Sequence, residues 1–236
     1  MKLAWLTDIH LNFVTSEVIE SLCRDVVATR AEAVLLGGDI AEAPDVTSHL
    51  ETLAARIQRP IYFVLGNHDF YRGGIESVRE SIQALVRRHR GLFWLPDRGV
   101  VPLTERTALV GHDGWADGRI GDYERSPLIL NDYRLIKEFK DLEETPRRDK
   151  LEALGDEAAD HLRAVLPLAL ERFQHVLVLT HVPPFREACA HPGRFSWDDW
   201  LPHFTCKAMG DALLEAADAF SERHVTVYCG HVHNDN

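Results

Sequence analysis

The 236-residue chain has only four cysteines, Cys23, Cys189, Cys206 and Cys229, and no two of them form a C-x-x-C pair. That excludes a disulfide framework and a zinc knuckle, and predicts reduced, mostly buried thiols. No apolar run approaches the ~20 residues that a membrane span requires. The first apolar stretch ends at Asp8, too early for a secretory signal, so no membrane role and a cytoplasmic location are expected. Positive charge is also scarce: 26 Lys and Arg stand against 37 Asp and Glu, a net charge of −11. Such a surface repels a polyanion and argues against tight binding of duplex DNA or RNA. It leaves room for a small phosphorylated substrate, because a metal ion can invert the local field of a site. Repeats, low-complexity tracts and linkers are missing as well, so residues 1–236 are expected to form one domain.

What the chain does have is a recurring design. Five short apolar runs, Leu3 to Leu6, Ala33 to Leu36, Ile61 to Leu65, Val176 to Leu179 and Val225 to Cys229, have the length and composition of strands buried on both faces. Helical spacing of apolar residues marks Glu17 to Thr29, Val46 to Ile57 and Ile75 to Arg88. A longer helical pattern runs from Lys150 to Phe173, where Pro167 is expected to kink or split it. Strands alternating with helices predict an α/β fold with a mainly parallel sheet, whose ligands bind outside the carboxyl ends of the strands. Residues 112–148 and 182–207 break the rhythm and are expected to be binding loops or surface elaborations.

Each strand candidate ends in polar residues: Asp8 and His10, Asp39, Asn67, His181, then His231 and His233. Imidazoles, carboxylates and one amide, without a thiolate, suit Mn²⁺, Fe, Zn²⁺, Co²⁺ or Ni²⁺ rather than Ca²⁺, with Mn²⁺ the first choice. Seven donors are too many for one tetrahedral ion but match two ions that share a carboxylate, about 3.5–4 Å apart. Packed together without a cation, these groups would face desolvation and like-charge costs of several kcal/mol.

The blocks D-I-H at Asp8–His10, G-G-D at Gly37–Asp39, G-N-H-D at Gly66–Asp69, the lone His181 and G-H-V-H at Gly230–His233 resemble, in order and type, the calcineurin-like metallophosphoesterases. The resemblance implies a four-layer αββα sandwich and a binuclear site. One metal would take Asp8, His10 and His233, the other Asn67, His181 and His231, and Asp39 would bridge them. A hydroxide between the metals would attack phosphorus. His68 would act beside the leaving group, oriented and kept protonated by Asp69.

Gly38-Asp39-Ile40-Ala41-Glu42 and Gly66-Asn67-His68-Asp69 depart from the G-D-x-V-D-R-G and G-N-H-E of the protein serine/threonine phosphatases. They are closer to the bacterial phosphodiesterase-like branch, which favours a phosphodiester substrate. A phosphomonoesterase or nucleotide pyrophosphohydrolase is the alternative within the class, a nuclease a third, and a non-catalytic scaffold the alternative outside it. Members of the family usually continue past G-H-x-H, whereas this chain has three residues after His233. That implies a fragment or a reduced second sheet, and a weaker metal on the His233 side.

The two aperiodic segments supply the remaining candidates. His112 is a substrate-side group, and Arg119, Arg125 and Arg134 are candidates for a bidentate phosphate clamp. Trp115, Trp197 and Trp200 are expected either to stack on a substrate ring or to join the core. The sequence leaves the oligomeric state open.

Overall fold

The computed structural model describes residues 1–189 and 198–232. Its first sheet has the order β1 (Leu3–Leu6), β2 (Ala33–Gly37), β3 (Ile61–Val64) and β4 (Leu92–Trp94), all parallel. The second has the order β5 (Val101–Pro102), β6 (Thr107–Gly111), β7 (His175–Leu179) and β8 (His224–Tyr228); only the β5–β6 pairing is antiparallel.

The period-2 geometry of a strand explains how the sheets stack. In the first sheet Val34, Leu36, Ile61 and Phe63 point toward helices α1 (Ser16–Ala28), α2 (Val46–Ile57) and α3 (Ile75–Arg88), sharing one core with Leu50, Leu53, Ile82 and Leu85. The alternate residues Leu35 and Val64 pack against Leu109 and Leu179 of the second sheet. Val110, Val176 and Val178 face the other way, into a core formed with α5 (Glu144–Arg172) and α7 (Lys207–Ala219). Helices, sheet, sheet, helices is the four-layer αββα sandwich that the family resemblance implies.

Several details differ from the sequence reading. Strands β1 and β8 are sheet edges, and residues such as Trp5 and His224 are exposed, so these two runs are not buried on both faces. Strands β4, β5 and β6 add to the expected five. The aperiodic segments contain short helices, α4 (Asp132–Leu135) and α6 (Leu201–Phe204), and α7 follows directly. Pro167 does not split α5, which continues to Arg172. Pro167 removes one amide donor, but Leu166, Ala169 and Leu170 around it are fully buried, and their packing outweighs the local cost. The cysteines are thiols as expected, with Cys23, Cys189 and Cys206 buried. Among the described residues no helix is long and apolar enough to cross a membrane.

Candidate metal centre

The edge strands β1 and β8 lie side by side where the two sheets meet, with the rings of Trp5 and Tyr228 5.2 Å apart. The loops that leave β1, β2, β3, β7 and β8 therefore converge at one end of the sandwich. They converge by bending sharply. Asp8 (φ 53°), His10 (φ 41°), Asp39 (φ 51°) and His231 (φ 75°) all hold left-handed backbone, as does Gly38 (φ 90°). Non-glycine residues rarely adopt such angles, and their concentration at one spot is characteristic of functional sites. Gly66 is needed for a different reason: a Cβ there would run into the Asp39 carboxylate and the His181 ring.

Two groups of donors result. In the first, one atom each of Asp39, His181 and His231 lie within 4.8 Å of one another; in the second, one atom each of His10, Asp39 and His68 do so. Asp39 belongs to both. Its Oδ1 is 3.4 Å from His181 Nε2, and its Oδ2 is 3.7 Å from His10 Nε2, so one carboxylate presents an oxygen to each side. Burial, then the charge of Asp8, pushes the Asp39 carboxyl well above its ordinary range. The Asp8 carboxylate accepts the backbone N–H of His231 at 3.0 Å and the Thr7 hydroxyl at 2.6 Å. His233 lies outside the described residues.

The neighbours of the first group determine where its protons sit. His181 Nδ1 is 2.8 Å from the Gly37 carbonyl, and His231 Nε2 is 3.3 Å from the His203 carbonyl. A carbonyl only accepts, so those two nitrogens carry the hydrogens. The remaining nitrogens, His181 Nε2 and His231 Nδ1, then direct lone pairs at each other across 3.2 Å. The Asn67 side-chain oxygen adds a third lone pair 3.2 Å from His181 Nε2. A proton is a poor mediator here, because burial and the adjacent His181 push the His231 imidazole down to about 3. A cation satisfies all of these donors, and a ligating imidazole with its other N–H on a carbonyl is the usual arrangement.

The profile of the calcineurin-like phosphoesterases matches residues 1–235. The chain belongs to that family. Solved structures agree on the fold. A phosphopantetheinyl hydrolase from Mycobacterium tuberculosis superposes with a TM-score of 0.68 at 18% identity, covering 98% of this chain and 83% of the other. A dimetal phosphatase from Danio rerio gives 0.58 at 16% identity, covering 99% and 82%. A protein from Thermus thermophilus gives 0.54 at 14% identity, covering 95% and 80%. A comparison with curated proteins finds no match. The family implies a two-metal centre, and the converging donors of this phosphoesterase fit one.

Two residues of the centre escape the sequence reading. Asp132, buried at the start of α4, accepts hydrogen bonds on one oxygen from Asn67 Nδ2 (2.9 Å) and from the Tyr71 hydroxyl (2.6 Å). By holding the amide nitrogen, Asp132 turns the Asn67 oxygen toward His181. Tyr71 in turn lies under His68, with stacked rings 4.3 Å apart. Burial, then the Asp132 charge, raises the Tyr71 phenol, which keeps it a donor. Tyr71 stands one helical turn after Asn67, which is a legible signal, whereas Asp132 is 65 positions away with none.

Several expected roles do not survive the geometry. The Asp69 carboxylate, fully buried, accepts three backbone N–H groups, from Ile40 and Ala41 (both 2.9 Å) and from Gly66 (2.8 Å). It fastens the loop after β2 to the loop after β3, and the His68 imidazole rests on Tyr71 instead. Burial and the nearby Asp39 charge push Asp69 up to about 8. His112 points away from the metal donors, toward His161 and Glu157 of α5. Arg119 is locked bidentately to Asp156 (2.6 and 2.9 Å) and touches Asp117. Arg125 is an exposed partner of Asp122. None of these three lines the cavity over the donors, and neither does Arg134. Trp115 joins the core against Phe70 and Phe139, while Trp197 lies outside the described residues.

Proposed function

We propose that this protein hydrolyses a phosphodiester with the help of two divalent metal ions. The observation that carries the reading is the convergence of lone pairs from His181, His231 and Asn67 beside the Asp39 carboxylate, in a buried site whose imidazole and amide hydrogens point outward. Asp8, His10 and His233 would complete the second half of the ligand set, with Asp39 shared and Mn²⁺ the first candidate ion. When bound, the ions supply an activated water and neutralise the phosphate oxygens.

The protein groups do the rest. Asn67, held by Asp132, keeps its oxygen aimed inward, and the Asp39 carboxylate fixes the His68 backbone through the 2.9 Å bond from His68 N–H. His68 borders the cavity, flanked by Tyr71 and by His10 at a ring distance of 4.6 Å. In the reaction a bond forms from the water oxygen to phosphorus, and the bond from phosphorus to the ester oxygen breaks. The departing alkoxide takes a proton from the His68 imidazole, and the proton of the water passes to solvent.

A diester is favoured over a monoester by the motif resemblance.

The test is hydrolysis of bis(p-nitrophenyl) phosphate against p-nitrophenyl phosphate on metal-stripped protein, with and without Mn²⁺. Mn²⁺-dependent cleavage that prefers the diester is expected. Preference for the monoester would replace the substrate reading, and tight metal binding without turnover would support a scaffold.

A further inference from the structure

We propose that the substrate carries a single ester-linked phosphorus together with an apolar or aromatic group that lies along the rim of the site. The inference rests on the phosphoesterase reading above and narrows it to a substrate class. The cavity over Asn67 and His68 measures about 190 Å³ and opens to solvent, so a substrate larger than the phosphoryl group and its nearest atoms extends onto the surface around the mouth.

This surface is apolar on two sides. On the His10 side, Phe13 is 68% exposed, with its ring 6.1 Å from that of His10. On the His231 side, Phe204 and Leu130 form the cavity wall, and the Phe204 ring is 4.9 Å from that of His231. From this wall the apolar surface continues to Trp200, 46% exposed with its ring 5.6 Å from Phe204, and to Ile129, 60% exposed beside Leu130. One exposed apolar side chain is ordinary, but large ones flanking a polar centre on both sides mark a contact surface for something apolar. Aromatic rings at a rim add area at little entropic cost.

Charge points the same way. A pyrophosphate-linked substrate brings a second phosphorus, for which a guanidinium or ammonium beside the metal site is a common partner. Among the described residues none lines the cavity, and Arg119 and Arg125 are paired with carboxylates elsewhere.

The experiment is a series of p-nitrophenyl phosphodiesters, on Mn²⁺-loaded protein, whose second ester group grows from methyl to hexyl and phenyl. kcat/KM should rise on the order of tenfold along the series. Phe13→Ser and Trp200→Ser, both at exposed positions where folding is not at stake, should each flatten that rise by about threefold. Turnover that is indifferent to the second ester group overturns the rim while leaving the phosphoesterase reading in place. So does a rise that both variants leave intact. Faster cleavage of ADP-ribose than of the phenyl ester overturns the single-phosphorus assignment. Silence toward every ester overturns the underlying reading and the rim with it.

Discussion

Two of the imidazole pairs in this molecule make a contrast, one within the converging metal donors and one apart from them. His181 and His231 have ring centroids 4.9 Å apart, and His112 and His161 have theirs 5.1 Å apart. Both pairs have carboxylates nearby. The difference lies in what surrounds the rings. Carbonyls take the outer N–H groups of His181 and His231, leaving their lone pairs to meet those of Asn67 and Asp39. His112 instead accepts the Gly114 N–H on Nδ1 at 3.2 Å, which places its proton on Nε2, facing Glu157 at 3.9 Å. The local cation is already present as Arg79, which binds Glu157 at 2.7 Å. Burial, then His161, then Arg79 lowers the His112 imidazole well below its ordinary value, and burial lowers His161 too, so both rings stay neutral. Residue type therefore does not make a metal centre; the positions of the protons do.

This comparison can be broken directly. His181→Ala should lower Mn²⁺-dependent turnover by about three orders of magnitude or more and remove an ion measurable by elemental analysis. His112→Ala should leave turnover within about twofold, its cost appearing as roughly 1–3 kcal/mol of stability from disturbed buried polar groups. Equal losses of activity in the two variants would erase the distinction. His68→Ala should lower kcat by on the order of 10²–10⁴ with metal content unchanged; lost metal would make His68 a ligand instead. Asp132→Ala should weaken metal affinity by about 10–100-fold, and Tyr71→Phe by less, since it removes the hydroxyl's bonds to Asp132 and from Asn67 but leaves the direct Asn67–Asp132 bond in place. Isothermal titration with Mn²⁺ separates these two from effects on turnover. At the small end, Arg125→Ala should cost under about 1 kcal/mol in a thermal melt, because it and its partner Asp122 are both exposed and solvent screens the pair, and should not alter hydrolysis.

The parts of the centre that can be read from sequence are those tied to a strand end. β2, β3 and β7 are apolar along their length because each lies between a sheet and a helical layer, and the polar residue that follows each run marks the carboxyl edge. Asp132 cannot be read this way. It belongs to a short helix in an aperiodic segment, and its role exists only once folding brings it to Asn67. For Asp69 adjacency in the chain misleads: it suggests contact with His68, while the 3₁₀ turn at His68–Phe70 sends the two side chains to different neighbours. Arg119 illustrates a signal that is present in the chain: Glu152 and Asp156, one turn apart on α5, present an acidic face that a nearby guanidinium would fill. Pro167 shows local preference yielding to burial.

The bond from the His231 amide to the Asp8 carboxylate joins residues 223 positions apart. At translation speeds of 5–20 residues per second, roughly 10 to 45 s separate the emergence of the two. For most of that interval the nascent chain holds Asp8 without the strand β8 that brings His231 to it. No early segment of the chain can therefore assemble the donor set alone: Asp39 and Asn67 are made first, and His181 and His231 join them last.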